Sequence, residues 1–133
     1  MSTLTGGFQL ASWDEQTTEE LEGERKLTRA LVTQTFTGDL EGEGSVEWLM
    51  CYAEDGTARF VGMQLVRGVI DGRKGSVVLE TIGDFDGTIA SGTWTMLPGS
   101  ATGDLVGITG RGRFEAPHGP NATYTLEIDL DEA

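Results

Sequence analysis

Glycine recurs along this chain between short segments in which apolar and polar residues alternate, and no other feature constrains the fold as strongly. Gly38-Asp39-Leu40-Glu41-Gly42-Glu43-Gly44, Gly68-Val69-Ile70-Asp71-Gly72-Arg73-Lys74-Gly75 and Gly99-Ser100-Ala101-Thr102-Gly103-Asp104-Leu105-Val106-Gly107 are three such places. Glycine supplies the positive φ and the sharp bends that strands need at hairpins, bulges and barrel corners. With 20 glycines in 133 residues, the sheet turns back repeatedly and is expected to close on itself. A small closed barrel is a container, so the pattern bears on function as well as fold.

The segments between the glycines read as strands. Phe8 to Trp13 opens the series, and Leu27 to Thr37 is dense in threonine and β-branched residues. In Ser45 to Ala53, residues Val46, Trp48, Met50 and Tyr52 share one face. Asp55-Gly56, Asp71-Gly72 and Asp86-Gly87 are hairpin signals around Ala58 to Arg67, Ser76 to Ile82 and Thr88 to Leu97. Leu105 to Ile108 and Gly110 to Ala116 follow, and His118-Gly119-Pro120-Asn121 makes the last turn. Tyr124, Leu126, Ile128 and Leu130 then alternate with polar residues. About eight short strands and no long amphipathic helix define an all-β chain, a closed antiparallel β-barrel in one domain over residues 1–133. Between the first two strands, Asp14 to Arg25 holds six carboxylates and almost no apolar residues. It reads as an exposed loop, with residues 14–26 a flexible flap near one barrel mouth.

Charge narrows the partners. Asp and Glu outnumber Lys and Arg 22 to 9, for a net charge of −13. Such a surface repels phosphate backbones and anionic lipid heads, so neither nucleic acid nor membrane is expected as a partner. The N-terminus carries no basic and apolar leader, and cytoplasmic localisation is expected. The single cysteine, Cys51, lies in an apolar run and reads as a packing thiol. The single histidine, His118, reads as a solvated turn residue. One His and one Cys far apart offer no zinc set, and Asp39, Glu41 and Glu43 read as a solvated hairpin rather than a calcium loop. No metal and no cofactor are expected.

The distinctive set is aromatic and thioether. Trp48, Met50, Tyr52, Met63, Trp94 and Met96 lie mid-strand, with Phe36 and Tyr124 as expected neighbours. Methionine adapts to irregular shapes, and Trp and Tyr join apolar area to one donor each, which suits the walls of a ligand cavity. The same residues serve equally as a filled core, and both readings stay open. Several strands are apolar on both faces, with Val61, Met63 and Leu65 alternating with Phe60 and Val66. A strand wetted on one face does not read this way. The second apolar face is expected to pack in a homo-oligomer.

Leu27-Thr28-Arg29-Ala30 through Gly42, Phe60-Val61-Gly62-Met63, Gly68 through Ser76, and Pro98 through Leu105 resemble the bacterial DUF3224 family. The resemblance spans roughly residues 6 to 130 and rests on structural glycine turns. It implies a barrel similar to that of allene oxide cyclase, whose lumen can hold a hydrophobic ligand. Related barrels include cyclases of natural-product biosynthesis, some of them Diels–Alder-type enzymes. Where the family commonly shows a glutamate this chain has Gln64, and where it often has a histidine before Gly83 this chain has Thr81 or Ile82. An acid–base pair is thereby lost.

Together these readings imply a cyclase or isomerase that folds a hydrophobic, polyketide-like or polyene substrate inside the barrel. Holding reacting ends in near-attack geometry can contribute roughly 7–11 kcal/mol. Phe36, Trp48, Met50, Met63, Trp94, Met96 and Tyr124 would shape the chain. Tyr52 and Gln64 would be the catalytic donors to a carbonyl. The alternative is a lipocalin-like carrier of an apolar small molecule, and a barrel filled solid would support neither.

Overall fold

The computed structural model describes residues 2–117 and 121–130; the turn residue His118 lies outside them. The described residues form β1 (Ser2–Glu20), β2 (Lys26–Gly38), β3 (Leu40–Tyr52), β4 (Ala58–Ile70), β5 (Arg73–Phe85), β6 (Ala90–Met96), β7 (Thr102–Gly103), β8 (Thr109–Ala116) and β9 (Ala122–Asp129). The antiparallel order is β4-β3-β2-β1-β9-β8-β6-β5, and β4 pairs with β5 to close an eight-stranded barrel. The short β7 adds to the edge of β5 at Gly75 and Ser76.

The barrel is strongly sheared. Following paired residues once around, Gly7 leads to Thr123, Glu115, Ser91, Asp84, Arg59, Cys51 and Leu27, and returns to β1 at Glu19, twelve residues beyond the start. Shear of this size tilts strands by roughly 35–45° and makes the rim a spiral. The β1–β2 hairpin therefore stands furthest out, and β1 beyond Phe8 has no β9 partner beside it. The acidic stretch after Trp13 is thus not the expected loop. It is strand as far as Glu20, held by β2 from Asp14↔Leu31 to Glu20↔Lys26.

Inward positions alternate along every strand and are filled. Trp94 lies 5.1 Å from Phe114, 5.8 Å from Phe8, 6.0 Å from Tyr124 and 6.1 Å from Phe36, centroid to centroid. Phe60 continues this cluster to Trp48 at 5.2 Å. Many of the glycines are not corners at all. They sit inside strands, facing the lumen beside a large ring. A Cβ on Gly44 would stand 2.6 Å from Phe36, on Gly62 2.7 Å from Trp48, and on Gly92 2.9 Å from Phe114. Inward glycine and inward ring are complementary halves of one layer.

Two smaller expectations also fail. Leu105 to Ile108 forms turns rather than a strand, and buries Leu105 and Ile108 against the core at the end opposite the hairpin rim. The β2–β3 hairpin turns at Gly38 and Asp39, so Glu41 and Glu43 lie in β3 on its outer face instead of in the hairpin.

Candidate functional site

A β-bulge builds the site. Along β1, Leu4 and Phe8 are buried inward and Leu10, though 48% exposed, keeps their side opposite the buried Gln34, so strict alternation would next turn Ser12 and Asp14 inward. The register shifts between Leu10 and Ser12, leaving Ala11 as the extra residue. Beyond it Trp13 opposes Val32 and Glu15 opposes Ala30, both inward and buried on β2. Bulges re-aim side chains in this way at barrel rims. The result gathers Trp13 and Glu15 of β1, Thr28 of β2, and Trp48, Met50 and Tyr52 of β3 at the hairpin end, or mouth, of the barrel.

Its centre is polar and fully engaged. Thr28 Oγ1 and Tyr52 OH each donate to Glu15 Oε2 at 2.7 Å, and Trp13 Nε1 donates to Oε1 at 3.1 Å. Partial burial works against the Glu15 carboxylate, but these three bonds and the nearby Lys26 charge outweigh it and hold its pKa below the ordinary value. Burial, the bond to Glu15 and its negative charge push the Tyr52 phenol up to about 12. Lys26 Nζ stands 5.0 Å over the Tyr52 ring. The Trp13 ring lies 5.6 Å from that of Trp48, yet Trp13 remains 45% exposed.

The residues expected to form one site separate into three groups. Trp48 and Met50 are buried in the core, at 6% and 7% exposure, beside Trp13 and the half-buried Tyr52 at the hairpin end of the barrel. Phe36, Trp94, Met96 and Tyr124 are at most 3% exposed and are packed into the barrel. Tyr124 is a structural anchor: its hydroxyl accepts from Leu40 N at 2.9 Å and donates to Thr37 O at 2.9 Å, tying β9 to the β2–β3 turn. Met63 faces outward and is 53% exposed, so it lines no lumen. Cys51, expected to be packed, is likewise exposed on the outer face.

Tyr52 and Gln64 do not meet. Gln64 opposes Val46, six residues from Tyr52 along β3, which is about 20 Å at the usual strand rise. Gln64 belongs instead to a buried string of its own. Thr81 Oγ1 donates to Gln64 Oε1 at 3.3 Å, and Gln64 Nε2 donates to Gln34 Oε1. Of the positions at which the sequence departs from its family resemblance, 64 and either 81 or 82, Gln64 and Thr81 are therefore neighbours inside the barrel, whereas Ile82 faces outward. Among the described residues, Gln34 Nε2, Trp48 Nε1 and Trp94 Nε1 are buried without a hydrogen-bond partner. Glu15 and Trp13 escape sequence reasoning because the bulge hides their parity; the signal available was Trp13 itself, an aromatic residue beside a carboxylate run.

Fold and site together define a tightly filled eight-stranded antiparallel barrel with an aromatic, carboxylate-bearing mouth. The chain belongs to the DUF3224 family, described as a protein of unknown function, whose model matches residues 4–128. It is similar to the crystal structure of a protein with unknown function from the DUF3224 family from Shewanella oneidensis MR-1, at 25% sequence identity, a TM-score of 0.84 and coverage of 99% of both chains. No curated protein matches the chain.

Proposed function

We propose that this protein is a binding module for a small, flat, apolar molecule held at the barrel mouth against Trp13, which is backed by Trp48, Met50 and Tyr52. The observation that carries this reading is Trp13. The bulge at Ala11 turns it onto Trp48, yet nearly half of it stays in contact with solvent. Trp48 and Phe60 already close the floor beneath, so folding alone does not call for a second, half-exposed indole. Indole, thioether and phenol offer apolar area, and Glu15 offers one polar handle, the composition of a small-molecule site.

The electrostatics favour holding over proton transfer. A carboxylate kept ionised by three donors is a weak base, and a phenol raised to about 12 is a weak acid at neutral pH. Gln64 and Thr81 carry no group that titrates in the ordinary range. A second reading is ring closure on a hydrophobic polyketide-like or polyene chain, as the likeness to the allene oxide cyclase barrel implies. In its favour stands the unpartnered indole N–H of Trp48, a donor suited to a carbonyl gaining charge. Against it, the rings of Phe36, Trp94 and Phe114 occupy the lumen in which such a chain would fold.

Titration with N-phenylnaphthylamine, an uncharged multi-ring probe, tests the binding reading. Probe fluorescence should rise as tryptophan emission is quenched, and Trp13→Ala should weaken binding about tenfold or more. Probe uptake indifferent to Trp13→Ala, or no uptake, overturns the reading. Product analysis after incubation with linear polyene precursors separates turnover from binding.

A further inference from the structure

The outside of the barrel is divided into two unlike halves. On β6, β8 and β9 the outward residues include Thr93, Thr95, Arg111, Arg113, Thr125 and Glu127. On β2 to β5 they include Leu31, Leu49, Val61, Met63, Leu65 and Ile82. Register aligns Leu49, Val61 and Ile82 in one row and Glu47, Met63 and Glu80 in the next. Leu49 is 55% exposed and Val61 42%, and a shallow groove of about 530 Å³ runs between Leu49, Val61, Met63 and Ile82, with Glu47 and Glu80 also lining it. Because the lumen is already filled, folding gains nothing from placing these side chains in water.

We propose that this face is the interface of a two-fold homodimer. Four strands at about 4.8 Å by three outward rows at about 6.7 Å give a footprint of roughly 400 Å². The largest exposed apolar patch on a monomer is of that order and is often functional. Side-chain relief adds to the accessible area, toward the roughly 800 Å² per partner of a stable complex. Charge selects the face. Two copies at −13 each repel, so they must meet where carboxylates are few or neutralised. Here Glu47 is paired with Arg29 across the β2–β3 ladder, and Glu80 on β5 is the remaining carboxylate of the Met63 row. One apolar face per chain closes as an isologous pair instead of propagating into a filament. The six outward apolar residues named above include no Trp or Tyr, the residues a lipid interface favours, and the net charge opposes anionic lipid.

Sedimentation equilibrium on the full chain decides. The wild type should run at twice its 14.2 kDa, and Val61→Glu with Met63→Glu should raise the dissociation constant by about a hundredfold or more. Thr93→Glu with Thr125→Glu, on the polar half, should leave the dimer intact. Circular dichroism checks the fold of each variant, and Leu49→Gln with Met63→Gln serves if the charged pair does not fold. A monomeric wild type overturns the proposal, as does a dimer that the Val61 and Met63 changes leave untouched. A monomer whose apolar face instead takes up neutral lipid vesicles, losing them on Met63→Glu, assigns the face to lipid and overturns it too.

Discussion

Glu15 on β1 and Tyr52 on β3 share a 2.7 Å hydrogen bond that reaches across the full width of β2. Side chains two strands apart meet on the inner face only where the sheet coils tightly and the residue between them is small. Thr28, inward on β2 between Ala30 opposite Glu15 and Lys26 opposite Tyr52, is that residue, and it bonds the same carboxylate oxygen. The contact ties the β1–β2 hairpin to β3, and the bond from Trp13 Nε1 to the other oxygen joins Trp13 to the same carboxylate.

This pair makes stability depend on pH at both ends of the scale. The Glu15 carboxyl titrates below its ordinary 4.5 in the fold, so its contribution is full above that value and is lost as pH falls through the lower, folded value. Tyr52 is shifted from 10 to about 12, so its contribution is full below 10 and is lost as pH rises toward 12. Tyr52→Phe should therefore cost about 1 kcal/mol at neutral pH. The gap from wild type should narrow in strong acid and again in strong alkali. Denaturant unfolding across pH measures it, and a gap independent of pH would mean the bond is not formed.

Gly44 is expected to reject even a methyl group. Its Cβ would press on the Phe36 ring and on Gln34 Oε1 at 3.1 Å, both side-chain atoms. Gly44→Ala should cost roughly 1–3 kcal/mol by overpacking. Adding Phe36→Leu should recover part of that loss, so the double variant is more stable than the two single costs predict. Thermal unfolding of the four proteins completes the cycle; strict additivity would refute the paired packing.

Tyr124→Phe should destabilise without changing ligand binding at the mouth. Removing the hydroxyl leaves the buried Leu40 N–H without its acceptor, which costs about 1–3 kcal/mol. Hydrogen exchange at the Leu40 amide should quicken well beyond that of neighbouring amides. An unchanged rate would show that another group satisfies it.

The Gln34–Gln64–Thr81 string should be sensitive to half-removal. Gln64→Leu alone strands Gln34 Oε1 and Thr81 Oγ1 and should cost roughly 1–3 kcal/mol. Gln34→Leu with Gln64→Leu should recover part of it, because both amides leave together while Thr81 Oγ1 still lacks its acceptor. Urea unfolding reads the difference, and a double variant worse than the single would show that the string is needed as a unit.

Local chemistry made much of the barrel legible in advance. Val46, Trp48, Met50 and Tyr52 face inward as their period of two requires, and so do Tyr124, Leu126 and Ile128. The turns at Asp55-Gly56 and Asp71-Gly72 lie where the residues that tolerate positive φ fall, with φ of 87° at Gly56 and 79° at Gly72. Each of these depends on a few consecutive residues, which is all that alternation and turn propensity can read.

What the chain alone determined, then, is an all-β succession of hairpins, membership of a glycine-patterned family and a set of rings with nowhere to go but inward or together. Tertiary structure decided the rest. Whether the lumen is hollow depends on shear and on which glycine stands beside which ring, sums taken across strands distant in sequence. Trp13 and Glu15 face the mouth because one extra residue, Ala11, shifts the register against β2, and a side chain's face is a property of that pairing rather than of its neighbours. The second apolar face was visible as composition, but only closure of the barrel gathered it onto one side, where the inner core leaves it no internal partner.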